Sequence, residues 1–483
     1  MQLNQLVKDI VMDGVSLSPV DVTGICTHSA DVTHGSLFVA IYGKDTDGHD
    51  FIPHAIKNGA SAIISNGREL GELPVPNIKV ANPRLAASRV AAEYYGHPTK
   101  ELTVIGITGT NGKTTTASIL NEIMKSAQIK SAQLGTLGII AEGYTPEKAL
   151  TTPDPIHLQK TFRELLEKGF THIIMEVSSH ALDQHRVADV HFNIGAFTNL
   201  SPEHLDYHHS MDDYFHAKTK LFHSLPITGT AIVNFDDELG QAMARESQAP
   251  VVSMSKQGST DIYFSDLSKD LNGIHGTIIA GEVSINVSSP LLGEFNAENI
   301  LCAVSMAVSL GIHSNIIQDG ISKSINIPGR MESFQLKNGA TVVVDYAHTT
   351  DAYTKVLTTV QQMMAPKGKM NIVFGCGGDR DATKRSEMGR IAEQYSDQLW
   401  VTPDNPRSEN INEINDQILM GISGNNVEVF DDRSVGLNTA LSTLNDEDVL
   451  VVLGKGRETY QEIKGEKIPY SDVKIIEEFI HAN

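Results

Sequence analysis

The feature that most restricts the fold is a glycine-rich loop between a buried-strand pattern and a helical pattern. Residues 102–108 (LTVIGIT) are mostly apolar, as in a strand that is covered on both faces. The loop TGTNGKTT fills residues 108–115, and apolar side chains then recur at helical spacing, at Ala117, Leu120 and Ile123. A strand that passes through a glycine turn into a helix is typical of parallel α/β folds that bind phosphate groups.

The residues of this loop suit a nucleoside triphosphate. Glycines allow backbone amides to turn toward phosphate oxygens, Lys113 can reach the outer phosphates, and the Thr114 hydroxyl can hold Mg²⁺. Ile107 stands where the strict phosphate-loop pattern has its first glycine, so the loop is a variant. The alternative is a glycine-rich turn that carries a lysine and a threonine by chance.

The remaining periodicity predicts three α/β blocks. At 483 residues the chain is too long for one ordinary core. Apolar runs that alternate with helical patterns predict a parallel sheet, and the alternation within residues 255–290 predicts added antiparallel strands. We predict domains at residues 1–100, 101–327 and 328–483. In the third block, four apolar runs lead into polar or glycine loops, where open α/β sheets bind ligands; these loops begin at Asp345, Gly375, Asp404 and Gly454.

Charge and cysteine content exclude several classes of function. With 38 basic and 59 acidic residues the net charge is −21, which argues against a nucleic-acid or membrane partner but leaves room for a small anionic substrate. Cys26, Cys302 and Cys376 lie far apart, so the sequence shows neither a disulfide framework nor a cysteine metal site. No apolar stretch approaches membrane-spanning length, and we expect a cytoplasmic protein.

Other candidate ligands remain open on chemistry alone. Glu176 ends a buried run, so it is either a Mg²⁺ ligand or a salt-bridged glutamate. His204 is followed by two more histidines, but no second ligand set has zinc spacing; His204 is either a ligand of a second Mg²⁺ or a hydrogen-bonded loop residue. Lys218 lies in an amphipathic helical pattern, and because an ammonium group repels metal ions, its chemistry alone predicts a solvated charge.

Taken together, the motifs resemble those of the Mur ligases. TGTNGKTT, EVSSH, NLxxxHLDYH, HAKxxLF, GxFNxxN, PGRxE, DYAHT, GGDRD, DNPR and GKGxE occur here in the order seen in that family and span essentially the whole chain. The resemblance implies a substrate-binding N-terminal α/β domain, a central P-loop ATPase-like domain and a Rossmann-like C-terminal domain. It also implies a monomeric ATP-dependent amide ligase of peptidoglycan synthesis that uses Mg²⁺ and an acyl-phosphate intermediate.

The resemblance also assigns roles to matching residues. The implied ATP-binding residues are Gly109, Thr110, Asn111, Gly112, Lys113, Thr114, Thr115, Asn296, Asn299, Arg330 and Asp345. The implied magnesium ligands are Thr114, Glu176, His204 and a carbamylated Lys218, and Lys113, Glu176, His204 and Lys218 are the implied catalytic residues. The implied UDP-dipeptide site comprises Ser29, Lys44, Asp45, Thr46, Thr151, Thr152, Ser178, Gln184 and Arg186, and the amino-acid site comprises Arg380, Asp404, Asn405, Pro406, Arg407, Gly454 and Glu458.

The DNPR motif suggests which amino acid is added. It resembles the version in ligases that add meso-2,6-diaminopimelate to UDP-N-acetylmuramoyl-L-alanyl-D-glutamate, in which Arg407 and Asn405 would hold the distal carboxylate. Arg457 replaces the family's usual histidine and is expected to add a further cation there. The alternatives are a lysine-adding or otherwise altered Mur ligase, a folylpolyglutamate-synthase-like ligase, and an ATP-binding protein without enzymatic activity. The chain also departs from the family pattern at His28, Ala30, Leu150 and Thr350.

Overall fold

The computed structural model describes residues 1–10, 19–43, 46–144, 150–270, 273–324 and 331–482, without the side chain of Asp206. The chain forms two compact units. The first consists of Met1–Tyr263, Ile279–Val283 and Glu298–Gly320, and the second of Phe264–Ile278, Ser284–Ala297 and Ile321–Asn483. The three-domain division at residues 100 and 327 stays a prediction.

The first hundred residues form a parallel sheet of four strands with order β1-β2-β3-β4. The strands are β1 (Gly24–Cys26), β2 (Ser36–Val39), β3 (Ala62–Ser65) and β4 (Asn77–Lys79), and the helices are α1 (Leu3–Leu6), α2 (Ile52–Lys57) and α3 (Pro83–Tyr94). Short 3-10 helices cover Ser29–Asp31, Gly48–Phe51 and Pro98–Lys100. Helix α3 begins where it does because Pro83 suits the first turn and the Asn82 side chain accepts from the amides of Arg84 and Leu85.

The first unit also contains the predicted parallel sheet around the glycine loop. Its strand order is β11-β10-β9-β5-β8-β6-β7, in which only the β6–β7 pair is antiparallel. The strands are β5 (Thr103–Thr108), β6 (Ser131–Gly135), β7 (Gly138–Ile140), β8 (His172–Glu176), β9 (Ile194–Phe197), β10 (Thr230–Asn234) and β11 (Val251–Ser255). The helices are α4 (Lys113–Ser126), α5 (Pro155–Glu167), α6 (Ser179–Asp183), α7 (Leu205–His208), α8 (Met211–His223) and α9 (Gly240–Arg245).

The strands of this sheet carry buried apolar side chains. Val104, Ile173 and Phe197 are fully buried, as the near-continuous apolar runs predict for parallel strands covered by helices on both faces. Because β5, β8 and β9 are parallel neighbours, the loops that follow them meet at one edge of the sheet. That edge carries the glycine loop, Glu176 and Asn199.

Antiparallel strands follow, as predicted. Strand β12 (Ile262–Asp270) pairs with β11 through its first residues, and β13 (Gly273–Ala280) and β14 (Val283–Ser289) come next along the chain. Ser265 donates to the carbonyl of Thr277 and Ser268 to that of His275, which is an antiparallel register between β12 and β13. Helices α10 (Glu294–Ser309) and α11 (Ser314–Ser322) complete this part of the chain.

The second unit contains a six-stranded sheet with order β15-β16-β20-β17-β18-β19, parallel except at β15. Its strands are β15 (Glu332–Gln335), β16 (Thr341–Asp345), β17 (Met370–Phe374), β18 (Gln398–Val401), β19 (Val427–Val429) and β20 (Val449–Leu453), and a separate hairpin comprises β21 (Tyr460–Ile463) and β22 (Glu466–Pro469). The helices are α12 (Thr350–Met363), α13 (Lys384–Tyr395), α14 (Ile411–Leu419), α15 (Arg433–Thr443) and α16 (Asp472–Ala482). All four predicted strand-to-loop transitions lie at the carboxyl edge of this sheet.

Candidate active site

The glycine loop joins β5 to α4, as the sequence predicts. Gly112 has φ 86°, a conformation that side chains other than glycine's rarely adopt, and a Cβ atom there would overlap the Asn299 side chain. The first helical hydrogen bond runs from the Thr116 amide to the Gly112 carbonyl. The amides of Gly112, Thr114 and Thr115 therefore lie at the helix N-terminus, which attracts phosphate groups.

The first half of the loop is fixed by the end of β9 instead. The Thr110 amide donates to the Asn199 carbonyl at 2.8 Å, and the Asn111 amide donates to the Asn199 Oδ1 atom at 2.9 Å. Thr198 Oγ1 donates to the Asn111 carbonyl at 2.7 Å. These two amides therefore donate to partners within the protein. Thr198 carried no motif signal, and its role depends on strand order.

Lys113 lies folded over the loop. Its Nζ atom donates to the carbonyls of Gly109 and Thr110 at 2.9 and 2.8 Å. The ammonium group is therefore held beside the phosphate-binding amides, where it can reach anionic oxygens by exchanging carbonyl partners.

Glu176 is buried at the end of β8 and connects the loop to a neighbouring strand. Its Oε1 atom accepts from Thr114 Oγ1 at 2.9 Å and from the Thr136 amide at 3.0 Å, and its Oε2 atom accepts from Thr136 Oγ1 at 3.2 Å. A Cβ atom on Gly135 would overlap this carboxyl group, so glycine there makes room for it. The hydroxyl of Thr114 and the carboxylate of Glu176 are hard oxygen donors of the kind that Mg²⁺ prefers.

Five residues of the predicted dipeptide site belong to a hydrogen-bonded network around Glu176. Thr152 Oγ1 donates to the Glu176 carbonyl at 2.8 Å and accepts from the Ser178 amide at 3.1 Å. Thr151 Oγ1 lies 3.1 Å from Thr136 Oγ1. The Arg186 guanidinium donates to the Thr152 carbonyl at 2.8 Å and to Gln184 Oε1 at 2.8 Å.

The network continues into α6 and α8. Gln184 Nε2 donates to the Tyr207 hydroxyl, which donates in turn to Asp183 Oδ2 at 2.9 Å. Lys220 Nζ donates to Asp183 Oδ1 at 2.8 Å. Hydrogen bonds from Lys220 and Tyr207 hold the pKa of Asp183 below its ordinary value against the opposing effect of burial. Asp183, Tyr207 and Lys220 were not predicted as site residues, because residue types alone do not show which side chains meet.

Lys218 lies inside the protein and is not the solvated helix charge that its chemistry alone predicts. Helix α8 forms as expected and is capped by Ser210, but the Lys218 side chain is only 1% exposed. Its Nζ atom donates to the Gly109 carbonyl at 2.8 Å and lies over the Tyr214 ring. Burial, reinforced by the positive charge of Lys113, holds the pKa of Lys218 well below its ordinary value.

His204 packs against two aromatic rings beside the glycine loop. Its ring packs against those of His180 and Tyr214, with centroids 4.7 and 6.2 Å away, and the Tyr214 hydroxyl lies 3.2 Å from Thr110 Oγ1. The structure therefore connects His204 to the glycine loop through Tyr214, whereas Thr114 and Glu176 are in direct contact. Within the described residues, no group of three or more histidine, cysteine, aspartate or glutamate side chains is arranged as a metal site.

The remaining predicted nucleotide-binding residues are placed as follows. Asn299 is buried, and its Oδ1 atom lies 3.3 Å from Thr116 Oγ1, below the glycine loop. Asn296 Nδ2 donates to the Leu292 carbonyl, and Asp345 accepts from the amides of Met331 and Ala347 at the end of β16. Arg330 lies outside the described residues.

Less of the predicted UDP end is described. Ser29 Oγ lies 3.0 Å from His54 Nδ1, and the Asn58 amide group donates to the Ser29 carbonyl. Thr46 is exposed, and its carbonyl accepts from the Gly43 amide. Lys44 and Asp45 lie outside the described residues.

In the second unit, the predicted amino-acid site forms a second network. Asn405 Nδ2 donates to Glu458 Oε2 at 2.8 Å, and the fully buried Lys455 donates to both Asn405 Oδ1 and Glu458 Oε2 at 3.0 Å. Lys455 is a residue that motif reasoning left without a role. Because Lys455 accepts no hydrogen bonds, it fixes the orientation of the Asn405 amide, whose nitrogen must then point to Glu458.

Arg407 lies beside this network. Its Nη1 atom donates to the Gly378 carbonyl at 2.6 Å, which ties the DNPR loop to the GGDRD loop, and the Gly378 amide donates to the Asn405 carbonyl. A Cβ atom on Gly378 would overlap the Pro406 carbonyl, so the two loops approach closely only because glycine is present. Arg380, in the same GGDRD loop, is exposed.

Asp404 is buried next to Gly454, where a Cβ atom would lie 2.5 Å from Asp404 Oδ2. Burial raises the pKa of Asp404, although Lys455 and Arg433 oppose the shift. Gly454 has φ 105°, and its amide donates to the Asp345 carbonyl on the neighbouring strand. The loops after β16, β18 and β20 therefore meet at the same edge, as predicted.

The expectation for Arg457 is wrong. Its guanidinium forms a two-armed ion pair with Glu332, a fully buried residue at the start of β15, with Nε 2.9 Å from Oε2. The charge of Arg457 is thus compensated by a partner that no sequence motif had paired with it, so it adds no free cation to the amino-acid site.

A phosphate loop beside a buried carboxylate, on a parallel sheet with a network of polar side chains at the same edge, defines a nucleotide-dependent α/β enzyme. The model of the Mur ligase middle domain matches residues 107–307, that of the Mur ligase glutamate ligase domain matches residues 329–456, and that of the Mur ligase family catalytic domain matches residues 21–95. The chain belongs to the Mur ligase family.

Curated relatives are similar over nearly the whole chain. UDP-N-acetylmuramoyl-L-alanyl-D-glutamate–2,6-diaminopimelate ligase from Geobacter metallireducens is 39% identical over 476 residues, covering 94% of this chain and 93% of that protein. The ligase of the same name from Bacillus cereus is 38% identical over 466 residues, covering 95% and 94%.

Solved structures agree with these matches. A structure of a ligase of that name superimposes with a TM-score of 0.75 at 32% identity, covering 100% of this chain and 99% of the other. The MurF ligase of Thermotoga maritima in complex with ADP shares the fold, with a TM-score of 0.59 at 21% identity and coverage of 89% and 93%. No helix in the described part of the chain combines the length and apolar character needed to cross a bilayer.

Proposed function

We propose that this chain joins meso-2,6-diaminopimelate to UDP-N-acetylmuramoyl-L-alanyl-D-glutamate in an ATP-dependent reaction of peptidoglycan precursor synthesis. The observation that carries the proposal is the position of Glu176. Its carboxylate contacts Thr114 of the phosphate loop. Its main-chain carbonyl accepts from Thr152, which belongs to the network formed by Thr151, Thr152, Ser178, Gln184 and Arg186. A carboxylate substrate held by that network therefore lies next to the ATP site, and the names of the relatives supply the substrate pair.

The chemistry requires activation of a carboxylate. A carboxylate is a poor electrophile, so the γ-phosphoryl group of ATP moves to the D-glutamyl γ-carboxylate, forming an acyl phosphate and ADP. The neutral amine of diaminopimelate then attacks the acyl carbon, the amide C–N bond forms, a proton is lost from nitrogen, and inorganic phosphate leaves. Lys113 and the amides at the start of α4 hold the phosphate oxygens, so their contribution is positioning and charge stabilisation.

Mg²⁺ fits the oxygen donors of this site. Thr114 Oγ1 and Glu176 Oε1 lie 2.9 Å apart beside the glycine loop, and both are hard ligands. When bound there, Mg²⁺ supplies positive charge that offsets the phosphate oxygens. Thr136 keeps the Glu176 carboxylate oriented through its amide and hydroxyl, which is the role expected of a group supporting a metal ligand.

Lys218 and His204 are proposed to serve a second magnesium ion. In the described part of the chain Lys218 forms no ion pair, and burial shifts its pKa downward, toward the neutral amine that reacts with CO₂. Addition of CO₂ to the amine with loss of a proton gives a carbamate anion, which converts a metal-repelling group into an oxygen ligand. Because His204 lies beside Tyr214, which also contacts Lys218, both candidate ligands border the same part of the loop.

The second unit is proposed to bind the incoming amino acid. Arg407 offers a guanidinium to the distal carboxylate, and Glu458 offers a carboxylate to an ammonium group. Lys455 and Asn405 hold Glu458 in place through hydrogen bonds of 3.0 and 2.8 Å. Ser29, Thr46, Lys44 and Asp45 are proposed for the UDP end, and a cytoplasmic location and monomeric state remain predictions.

A phosphate-release assay with product mass analysis tests this function. The purified chain is incubated with ATP, Mg²⁺, the UDP-dipeptide and a panel of amino acids, with one component omitted at a time. We expect phosphate release only when every component is present and a product mass that contains diaminopimelate. Preference for L-lysine at equal concentration would mean that lysine, and not diaminopimelate, is the amino acid added. Activity with a folate acceptor would indicate a folylpolyglutamate-type ligase. Phosphate release that is independent of the amino acid would overturn the ligase assignment.

A further inference from the structure

Glu462, on the hairpin strand β21, contacts both residues proposed to hold the distal end of the amino acid. Its amide donates to Asn405 Oδ1 at 2.9 Å, and its carbonyl accepts from the Arg407 amide at 2.9 Å. Its carboxylate also accepts from Arg407 Nε at 3.2 Å. None of the motifs in the sequence includes Glu462, and its position is set by the approach of the hairpin to the DNPR loop.

Hydrogen bonds fix the position of the Arg407 guanidinium. The Lys464 amide donates to the Arg407 carbonyl, and Arg407 Nη1 donates to the Gly378 carbonyl, so the backbone is anchored to the hairpin and the side chain to the GGDRD loop. Arg407 has φ 51°, which its two backbone hydrogen bonds to the hairpin stabilise. A carboxylate ligand must therefore approach this guanidinium in place, with Glu462 still beside it.

Glu462 changes the charge that such a ligand meets. The side chains of Arg407 and Glu462 are 24% and 29% exposed, so water screens their attraction only in part. The neighbouring Lys455–Glu458 pair is also neutral overall. An incoming carboxylate thus meets an arginine whose positive charge is already compensated, and it lies within range of a second carboxylate that repels it.

We propose that Glu462 is a specificity-determining residue that acts through Arg407 and limits how strongly the site favours an amino acid with a distal carboxylate. This inference rests on the proposed function, because it takes diaminopimelate as the acceptor. Glu462→Gln keeps the size of the side chain and an oxygen that accepts from Arg407 Nε, but it removes the negative charge. It therefore separates the effect of charge from that of geometry.

The test is the steady-state kinetics of the full-length variant. We expect the KM for diaminopimelate to fall about three- to tenfold in Glu462→Gln, as for loss of a partly screened like charge, with kcat and the KM for ATP unchanged. The KM for L-lysine, which lacks the distal carboxylate, should not fall. Glu462→Asp keeps the charge, and its KM for diaminopimelate should not fall either.

Glu466→Gln is the matched control, since it makes the same charge change on the exposed strand β22 of the same hairpin. Its kinetics should equal those of the wild type. A rise in the KM for diaminopimelate in Glu462→Gln would mean that Glu462 only braces Arg407, and an unchanged KM would mean that its charge has no effect; either overturns the inference. An equal fall in Glu462→Asp would also overturn it. If the wild type releases no phosphate in response to diaminopimelate, the proposed function itself fails.

Discussion

At the scale of single residues, Glu176 contacts both the glycine loop, through its carboxylate, and the network proposed to hold the dipeptide, through its main-chain carbonyl. Glu176→Gln replaces a carboxylate that accepts three hydrogen bonds from Thr114 and Thr136 by an amide whose nitrogen cannot accept. It also removes the negative charge proposed to hold Mg²⁺. We expect the rate of ligation to fall about 100-fold or more, as for loss of an oriented electrostatic group in an active site. Phosphate release under saturating substrates measures this.

Glu167→Gln provides the control for that experiment, because Glu167 is an exposed residue at the end of α5. Its ligation rate should match that of the wild type. The role of Glu176 is contradicted if Glu176→Gln retains more than about a tenth of wild-type turnover, given the size of effect expected for such a group.

Lys218 carries a prediction about pH as well as activity. Burial lowers its pKa, so between that lowered value and the ordinary lysine pKa the unfolded chain binds a proton that the folded protein does not. The contribution of Lys218 to stability therefore rises with pH across this window and falls as the pH drops. Lys218→Met removes the contribution, so in CO₂-depleted buffer the Tm of the variant should exceed that of the wild type at about pH 7, with the gap narrowing toward about pH 9.

The same variant should be inactive, because methionine cannot form a carbamate. Lys218→Ala should be inactive as well, and added acetate should restore part of its activity by placing a carboxylate in the vacated space. A difference in Tm between Lys218→Met and the wild type that does not change with pH would contradict the lowered pKa of Lys218. Full activity in either variant would rule out a catalytic role.

Sequence reasoning identified the polar residues of the site better than their partners. Lys113 and Glu176 could be chosen because their types and their positions after apolar runs are visible in the sequence, whereas Arg186 was implied only by the resemblance to the Mur ligases. The burial of Lys218 was not visible, because an amphipathic pattern does not show that the end of a neighbouring loop covers a polar position. Pairing of Arg457 with Glu332 joins residues 125 positions apart, and no local rule predicts such a contact.

At the scale of secondary-structure elements, a buried ion pair fixes the C-terminal helix. Arg433 begins α15 and Asp472 begins α16, both side chains are fully buried, and their closest atoms lie 2.8 Å apart. Arg433 also donates to Thr402 Oγ1 and to the Leu453 carbonyl. Asp472→Asn removes the carboxylate that is paired with this buried guanidinium, so we expect a loss of about 3–5 kcal/mol in the free energy of unfolding of this region, measured by denaturant titration.

Glu478→Gln on the same helix is the comparison. Glu478 pairs with Lys474 at 3.7 Å, but both side chains are mostly exposed, so removing this pair should cost less than about 0.5 kcal/mol. Equal losses for the two variants would show that burial does not decide the contribution of the Arg433–Asp472 pair.

The strands were predicted well because burial on both faces produces continuous apolar runs in the sequence. The runs ending at Glu176, Asn199 and Asn234 became β8, β9 and β10 with boundaries within two residues, since parallel strands covered on both faces must be apolar throughout. The order of the strands was not predictable in the same way. It places β9 next to β5, and this neighbour relation brings Asn199 to the glycine loop.

At the scale of the whole molecule, the net charge of −21 sets a repulsive background for anionic ligands. The cations proposed to bind them are anchored by neutral oxygens: Lys113 by loop carbonyls, Arg186 by Thr152 and Gln184, and Arg407 by Gly378. Binding of anions therefore depends on short-range attraction by these cations, which salt screens weakly. The long-range repulsion by the net negative charge opposes binding, and salt screens it strongly.

This balance predicts opposite responses of two acceptors to salt. At neutral pH meso-2,6-diaminopimelate has no net charge, whereas L-lysine carries one positive charge and is attracted by the acidic protein as a whole. Raising the ionic strength from about 10 mM to about 150 mM shortens the screening length from about 30 Å to about 8 Å, so it removes that attraction. We expect the KM for lysine to rise while the KM for diaminopimelate changes little, so that selectivity for diaminopimelate increases with salt.

Steady-state kinetics with both amino acids at the two ionic strengths measure this, with ATP and the UDP-dipeptide saturating. A KM for diaminopimelate that rises in parallel with that for lysine would show that the net charge of the protein does not distinguish the two acceptors.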